Sequence, residues 1–339
     1  MKEHGRNDRD DRDRNDGAHE FPWPVLRLPF PAARNPYALR LGSHLVQWVT
    51  EFGLFEDTAA VERFAAVRYE DLLAAVYPTA NAEDLELISE LIIWMYLFDD
   101  QFDIGCHGRD PVRARAIAAD VAAVVHGGGV PKGAGPLLTA LASVRNRVLA
   151  SRSPLWPRLA DDLTVFATAV AREVRQRAAG HLPSLAEYTE QRLDTFAWGA
   201  VFDLIELEQG GATVPDRLRA APEYRALVRT AGLVMCVMND LISLGKEIAG
   251  QEEHNLVLLM ARNTGQSLQQ AIRAAERLFA HRVEEYLSHA GSLSGMYRRL
   301  GATPAERAVV DGCRVGMEYM MRGELDWCRT TLRYAQGKG

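Results

Sequence analysis

Apolar residues recur every three to four positions over most of the chain, which is the period of an α-helix with one buried face. The pattern predicts helices at about residues 37–52, 58–77, 83–104, 111–126, 137–152, 155–179, 184–209, 223–249, 265–289 and 304–334. No segment alternates apolar and polar residues as a half-buried strand does, and no repeat of about 20–50 residues is present. The predicted fold is therefore all-α and forms a single domain.

Polar and proline-rich segments interrupt this pattern at the start of the chain and near its middle. Residues 1–20 mix acidic and basic side chains with almost no apolar ones, so we predict a disordered tail without chemistry. Five prolines in residues 21–36 predict an extended strap at the start of a domain that runs over 21–339. Residues 127–136 are predicted to be a loop, because no strand precedes them and no Gly-Lys-Ser/Thr follows, as a P-loop requires.

The first candidate site lies where an apolar run ends in three aspartates. Residues 91–96 are apolar throughout and belong inside a protein, and Asp99, Asp100 and Asp103 follow them. Spacings of three and four residues place these carboxylates on one side of a helix, where they repel each other unless a cation neutralises them. The hard cations Mg²⁺ and Mn²⁺ prefer such oxygen ligands. Taken alone, the cluster also fits a solvated helix end.

A second polar series follows another apolar run, residues 231–238. Asn239, Ser243 and Glu247 stand at i, i+4 and i+8, so an amide, a hydroxyl and a carboxylate form one stripe of a helix. Such oxygens make half of a coordination shell for Mg²⁺, which completes it with water or phosphate oxygens. Lys246 lies beside them as a point charge suited to phosphate.

Composition narrows the class of protein. The 339 residues are 47% hydrophobic with a net charge of −6, which supplies a large core and argues against a nucleic-acid-binding surface. No apolar run reaches about 18 residues and no signal-peptide core is present, so we expect a cytoplasmic protein without membrane insertion. Cys106, Cys236, Cys313 and Cys328 lack CxxC spacing, so buried reduced thiols are favoured over disulfides or a zinc site.

Together the two polar series resemble the signatures of bacterial class I terpene synthases. Asp99-Asp100-Gln101-Phe102-Asp103 has the form DDxxD, and residues 239–247 have the form NDxxSxxxE, roughly 140 residues later, as in that family. The resemblance covers residues 21–336 and implies a single-domain α-helical bundle around an apolar active-site cavity. It also implies Mg²⁺-dependent ionisation of a linear prenyl diphosphate, cyclisation of the carbocation and release of pyrophosphate. Farnesyl diphosphate is the first expectation, and geranylgeranyl and geranyl diphosphate stay open.

The resemblance also assigns metal ligands. Three Mg²⁺ ions are expected, with Mn²⁺ as a substitute, and Asp99 is the main ligand of two. The third is expected at Asn239, Ser243 and Glu247. Asp100 and Asp103 complete the candidate metal residues, although in the family the position of Asp103 more often binds an arginine.

Further residues match the family's diphosphate-binding positions. Arg192 stands 47 residues before Asn239, where the family has an arginine that senses pyrophosphate. The family's linker and effector positions fall on Thr195 and Phe196, which depart from the usual acidic and small residues. Lys246 and a C-terminal Arg333-Tyr334 pair complete the expected diphosphate site.

Aromatic and sulfur-containing side chains are candidates for the cavity wall, where ring faces offset positive charge. We expect Tyr96 and Trp327 there, and the remaining candidates are Met95, Phe166, Phe196, Trp198, Phe202 and Met235. Core packing is the alternative for each.

Three other classes of protein are weighed. A chain-elongating isoprenyl diphosphate synthase carries a second aspartate-rich motif, where this chain has the series of residues 239–247 instead. A di-iron protein needs a glutamate three residues before a histidine, and no histidine in this sequence has one. A non-catalytic helical protein leaves both polar series without a purpose. The sequence leaves open whether the protein forms a homodimer.

Overall fold

The structure is a computed structural model that describes residues 24–103, 110–152, 154–210 and 212–334, without the side chains of Asp103 and Arg152. The predicted tail, the first residues of the strap and Cys106 lie outside the described residues. The helices are α1 Ala38–Glu51, α2 Thr58–Val67, α3 Tyr69–Val76, α4 Ala82–Asp103, α5 Pro111–Val125, α6 Pro136–Arg152, α7 Trp156–Ala178, α8 Leu185–Thr195, α9 Trp198–Glu208, α10 Asp216–Arg219, α11 Pro222–Ala249, α12 Leu256–Thr264, α13 Leu268–Leu300 and α14 Pro304–Cys328. The described part of the chain contains no strand, which confirms the all-α prediction.

Two predicted helices are each divided by a residue in the left-handed conformation. Arg68, with φ 59°, separates α2 from α3, and Ala197, with φ 56°, separates α8 from α9. An α-helix cannot continue through such a residue. Apolar periodicity continues across both breaks, so the pattern alone predicted one helix in each place.

Helices α13 and α14 also differ from the prediction. Helix α13 continues to Leu300, because Leu293, Met296 and Tyr297 are buried and extend its apolar face past Gly291 and Gly295. Helix α14 ends at Cys328, and the last described residues turn back across the body.

The core is built around α4 and α11. Leu91, Ile93 and Trp94 of α4 are inaccessible to solvent, as the uniformly apolar sequence predicts. Helix α11 is long and apolar enough to span a membrane, but 83% of its most apolar window is buried inside the protein, as in the core helix of a soluble protein.

The strap and the cysteines match their predictions. Leu26, Leu28 and Phe30 of the strap are buried, and the Asn35 amide donates to the carbonyl oxygens of Tyr77 (2.9 Å) and Ala80 (2.8 Å). Cys236, Cys313 and Cys328 are buried free thiols.

Candidate active site

A cavity of about 160 Å³ opens among α3, α4, α7, α8, α9, α11 and α14. One part of its wall is apolar or aromatic: Leu72, Leu73, Val76, Tyr77, Ile92, Met95, Tyr96, Phe166, Phe196, Ala197, Val201, Met235 and Met320. The other part is polar or charged: Asp99, Glu173, Arg192, Thr195, Asn239, Ser243, Lys246, Glu247, Glu252, His254, Glu324, Arg333 and Tyr334. Such a division suits a ligand with an anionic head and a hydrocarbon body.

The aspartates of α4 have different surroundings. Phe98 stacks on Trp94 at 5.1 Å in the core, and the next residue, Asp99, lines the cavity. Asp100 is not among the cavity residues, and its two carboxylate oxygens accept hydrogen bonds from Arg333 at 2.8 and 3.1 Å. Burial opposes ionisation, but the charge of Arg333 keeps the pKa of Asp100 below its usual value. The side chain of Asp103 lies outside the described residues.

The second polar series forms a continuous stripe of α11 at the cavity. Ser243 Oγ lies 2.6 Å from Glu247 Oε1 and 2.7 Å from the carbonyl oxygen of Asn239. Burial and the neighbouring charge of Asp240 raise the pKa of Glu247 to about 8. The stripe offers only oxygen donors, and Asp99 faces the same cavity from α4. This donor set fits a hard divalent cation such as Mg²⁺.

Arg192 is held against the stripe at the end of α8. Its guanidinium donates to Asp240 Oδ1 (3.0 Å) and to Asn239 Oδ1 (2.8 Å). Burial opposes its charge, but Asp240 keeps the pKa of Arg192 well above the ordinary value. Thr195 Oγ1 lies 3.4 Å from Nη1, and the guanidinium carbon lies 5.6 Å from the centre of the Phe196 ring. The break at Ala197 therefore places Arg192, Thr195 and Phe196 together at the cavity.

The last described residues cover the same polar wall. Arg333 donates to Tyr69 Oη at 2.8 Å, and its guanidinium carbon lies 4.7 Å from the centre of the Tyr96 ring. Tyr334 Oη accepts a hydrogen bond from the Asn239 amide at 3.3 Å. Lys246 Nζ lies 4.0 Å from Asp100 Oδ1. Residues from α4, α11 and the C-terminus are thus joined by direct contacts.

The aromatic candidates do not all reach the cavity. Tyr96 and Phe166 line it, but Trp327 is not among the cavity residues. The Trp327 indole stacks on Tyr69 at 5.7 Å, meets Tyr334 edge-on at 6.2 Å, and donates to a backbone carbonyl oxygen at 3.1 Å. Trp198 and Phe202 line a separate surface groove.

Several site residues fall outside both motifs. Asn255 donates to Glu247 Oε2 at 2.5 Å and to the carbonyl oxygen of Asp240 at 2.7 Å, and its own side chain caps α12. Tyr188 donates to Asp240 Oδ2 at 2.7 Å. Asn255 follows closely after the second series, in the segment His254-Asn255-Leu256-Val257. This proximity in the sequence was the feature that could have indicated a role for Asn255 at the site.

A further acidic group lies at one side of the cavity. Ligand atoms of Glu173, Glu252 and His254 lie within 4.8 Å of one another. Arg177 donates to Glu252 Oε2 at 2.7 Å. Burial opposes ionisation, but hydrogen bonds from His254 and the charge of Arg177 lower the pKa of Glu252 to about 2. Arg177 therefore neutralises part of the negative charge of Glu173 and Glu252.

Comparison with known proteins identifies the family. Residues 90–285, more than half of the chain, match a family model described as terpene synthase family 2, C-terminal metal binding. The chain belongs to the terpene synthase family. The terpene synthase is 32% identical to pristinol synthase of Streptomyces pristinaespiralis, over 91% of this chain and 84% of that protein. It is 31% identical to pentalenene synthase of Streptomyces avermitilis, over 91% of this chain and 92% of that protein.

A solved structure gives the same fold. The crystal structure of α-eudesmol synthase superimposes with a TM-score of 0.81 and 26% identity, over 90% of this chain and 98% of that chain. The fold, the site and the relatives together make this protein a class I terpene synthase, a lyase that releases pyrophosphate from a prenyl diphosphate and cyclises the product cation. The metal-binding family model implies that the enzyme uses a divalent metal.

Proposed function

We propose that this terpene synthase converts farnesyl diphosphate to a sesquiterpene in the cytoplasm. One observation carries the proposal: Asp99 of α4 and the oxygen-rich stripe of α11 line one cavity, and much of its remaining wall is apolar. A relative from Roseiflexus castenholzii, 31% identical over 91% of this chain and 93% of that protein, is named as a (+)-T-muurolol synthase that cyclises (2E,6E)-farnesyl diphosphate.

The polar wall is the proposed diphosphate site. Mg²⁺, with Mn²⁺ as a substitute, would be held by Asp99 on one side and by Asn239, Ser243 and Glu247 on the other. Three ions are proposed, with Asp100 and Asp103 supporting the first side. When bound, these ions supply positive charge to the leaving group.

The protein's own cations complete this site. Arg192, Lys246 and Arg333 present N–H donors to phosphate oxygens, and Tyr334 adds a hydroxyl. Donors already fixed in place stabilise the charge that develops on the leaving group without reorganisation at the moment of reaction. The ion pairs of Arg192 with Asp240 and of Arg333 with Asp100 provide this fixed geometry.

The apolar wall is the proposed site for the hydrocarbon chain. It folds the chain, excludes bulk water and turns aromatic faces towards the cation, each of which contributes about 0.5–2 kcal/mol. Tyr96, Phe166 and Phe196 are the aromatic residues proposed for this role. Trp327 acts from outside the wall, because its packing against Tyr69 and Tyr334 fixes the C-terminal segment. Thr195 supports Arg192.

The test is incubation of the purified enzyme and Mg²⁺ with geranyl, farnesyl and geranylgeranyl diphosphate separately, followed by gas chromatography with mass detection. We expect a sesquiterpene from farnesyl diphosphate alone. Asp99→Asn and Asn239→Ala should lower pyrophosphate release by about 100-fold or more. Asp161→Asn is the matched control, because Asp161 is exposed on α7 and is not among the cavity residues.

Each other outcome has a defined meaning. A product only from geranyl or geranylgeranyl diphosphate would reassign the enzyme to monoterpenes or diterpenes. Longer prenyl diphosphates formed only with added isopentenyl diphosphate would indicate a chain-elongating synthase. No pyrophosphate release from any substrate would contradict the proposal.

A further inference from the structure

Two polar side chains that line the cavity belong neither to the proposed diphosphate site nor to the group formed by Glu173, Glu252 and His254. They are Tyr77, which directly follows α3, and Glu324, on α14. Both residues are buried, with relative exposures of 0% and 6%. The neighbouring wall residues Leu73, Val76 and Met320 are apolar, so these two groups stand out chemically.

The Tyr77 hydroxyl is buried and has no hydrogen-bond partner in the part of the chain that the structure describes. Burial, together with the charges of Glu208 and Glu324, raises the pKa of Tyr77 well above its usual value. Glu208 Oε1 accepts the Thr79 N–H at 2.9 Å and the Thr79 hydroxyl at 2.7 Å. Glu208 Oε2 is also buried without a partner among the described residues, but Glu208 does not line the cavity. Buried hydroxyl groups normally have a partner, so this one leaves a donor for a small ligand in the cavity.

Glu324 is a buried acid without a cationic partner. No Lys, Arg or His of the described residues lies within ion-pair distance of it. One hydrogen bond reaches it, from the Cys328 thiol to Oε1 at 3.6 Å. Burial raises the pKa of Glu324 to about 7, and the thiol and the charge of Arg333 oppose this shift. A carboxyl group with that pKa both accepts and returns a proton near neutral pH.

The two groups are brought to one wall by a close contact between helices. Gly323 packs directly on α3, since an added Cβ would lie 2.8 Å from the carbonyl carbon of Ala75. Glu324 follows this contact on α14, and Tyr77 follows Ala75 by two residues. The contact therefore places a donor and an acceptor at the same cavity, where the charge of Glu324 acts on Tyr77.

We propose that Tyr77 and Glu324 bind one water molecule and direct it at the final carbocation, so that the product is a cyclic alcohol. This inference rests on the proposed function. A water needs two to four polar partners to be held in a buried site, and here it accepts from the tyrosine and donates to the carboxylate. Fixed in this way, it does not diffuse to the earlier cations, as bulk water would.

The terminating step balances without a further reactant. A lone pair of the water oxygen forms the new C–O bond with the cationic carbon. An O–H bond of the resulting oxonium breaks, its electron pair stays on oxygen, and the proton moves to the Glu324 carboxylate. Glu324 returns that proton to solvent when the product leaves.

The experiment compares wild type with Tyr77→Phe and Glu324→Gln, using Mg²⁺ and farnesyl diphosphate. Total turnover is followed by pyrophosphate release, and the ratio of cyclic alcohol to hydrocarbon by gas chromatography with mass detection. Wild type in H₂¹⁸O should give an alcohol carrying ¹⁸O. Each variant should lower the alcohol-to-hydrocarbon ratio by roughly tenfold or more, while pyrophosphate release stays within a few-fold of wild type.

Tyr224→Phe is the matched control, because Tyr224 is buried but is not among the cavity residues, and we expect an unchanged product ratio. Glu324→Leu is a second variant at this position, for use if Glu324→Gln fails to fold. Replacing a buried acid that lacks a cationic partner should leave the melting temperature equal or higher.

The outcomes separate the two proposals. A wild type that releases pyrophosphate but forms only hydrocarbons overturns this inference and leaves the proposed function standing. Variants that keep the wild-type alcohol ratio also overturn it. Absence of pyrophosphate release in wild type contradicts the proposed function itself.

Discussion

Asn255 links the polar stripe of α11 to the loop that follows it. Its side-chain amide donates to Glu247 and to the carbonyl oxygen of Asp240, while its side-chain oxygen accepts the N–H groups of Val257 and Leu258, the second and third residues of α12. One side chain therefore orients a proposed metal ligand and begins a helix. Residues that orient ligands contribute to metal affinity although they do not contact the ion.

Replacing Asn255 by Ser separates these two tasks. Serine keeps an N-cap acceptor but is too short to hold Glu247. We expect the Mg²⁺ concentration for half-maximal pyrophosphate release to rise by about 10-fold or more. The melting temperature should fall by only a few degrees, since the cap is kept but the buried carbonyl oxygen of Asp240 loses its donor.

Ser267→Asn is the control for this variant, because it replaces one type of N-cap residue by another at the start of α13, and Ser267 is not among the cavity residues. It should leave the Mg²⁺ dependence unchanged. An unaltered Mg²⁺ dependence in Asn255→Ser would contradict the role assigned to Asn255.

At the scale of elements, contacts between helices and breaks within them set the shape of the cavity. The break at Ala197 brings Arg192 and Phe196 to the wall, and the contact at Gly323 sets α14 directly on α3. Glycine is required there by space rather than by backbone conformation, because backbone atoms of α3 occupy the position of a side chain.

Gly323→Ala tests this contact. The added methyl group must push α14 away from α3, so we expect the free energy of unfolding to fall by about 1–3 kcal/mol. The product ratio should also change, because Glu324 moves with α14. Urea unfolding and product analysis provide the measurements.

Gly291→Ala is the matched substitution, since it lies within α13 with no atom within 4 Å of the added Cβ. There we expect a gain of about 0.5–1 kcal/mol from helix propensity. Equal effects of the two substitutions would show that crowding at Gly323 does not govern this contact.

At the scale of the whole molecule, the two described ends of the chain pack against each other, and the C-terminal end lines the cavity. Arg322 and Arg329 donate to carbonyl oxygens of the strap, at Phe30 (3.1 Å) and Leu26 (3.4 Å). Arg333 then joins Asp100 and Tyr69, more than 230 residues earlier in the chain. The C-terminal segment is therefore fixed to the body by an arginine fork at the cavity, where it would cover the proposed diphosphate site.

Arg333→Ala should open this cover. It removes a diphosphate donor and leaves Asp100 without its partner, so we expect kcat/KM to fall by about 100-fold. Bulk water should then enter, and the share of linear prenyl alcohol should rise relative to cyclic products. Pyrophosphate release and gas chromatography measure both effects.

Arg329→Ala is the control, because Arg329 lies in the same segment but is exposed and pairs with Asp326 at 3.2 Å. A small loss of stability is expected for it, without a change in linear alcohol. Equal linear alcohol in Arg333→Ala and wild type would contradict the covering role.

The sequence by itself determined the helical class and the residues of the two polar series. Each property is local: a period of 3.6 residues defines a buried face, and spacings of three and four align oxygens on one helix. For the same reason the burial of α4 and α11 was predictable from their apolar runs.

Only the tertiary structure decided which residues meet across the cavity. Asp100 belongs to a metal motif by sequence, yet its contacts are with Arg333, which no local pattern relates to it. Trp327 is displaced from the cavity wall by its packing on Tyr69, and Tyr77 and Glu324 reach one cavity through the packing of α14 on α3 at Gly323. Periodicity assigns a residue to a face of its own helix, but the partner on the other side depends on how distant helices pack, and that information is not local.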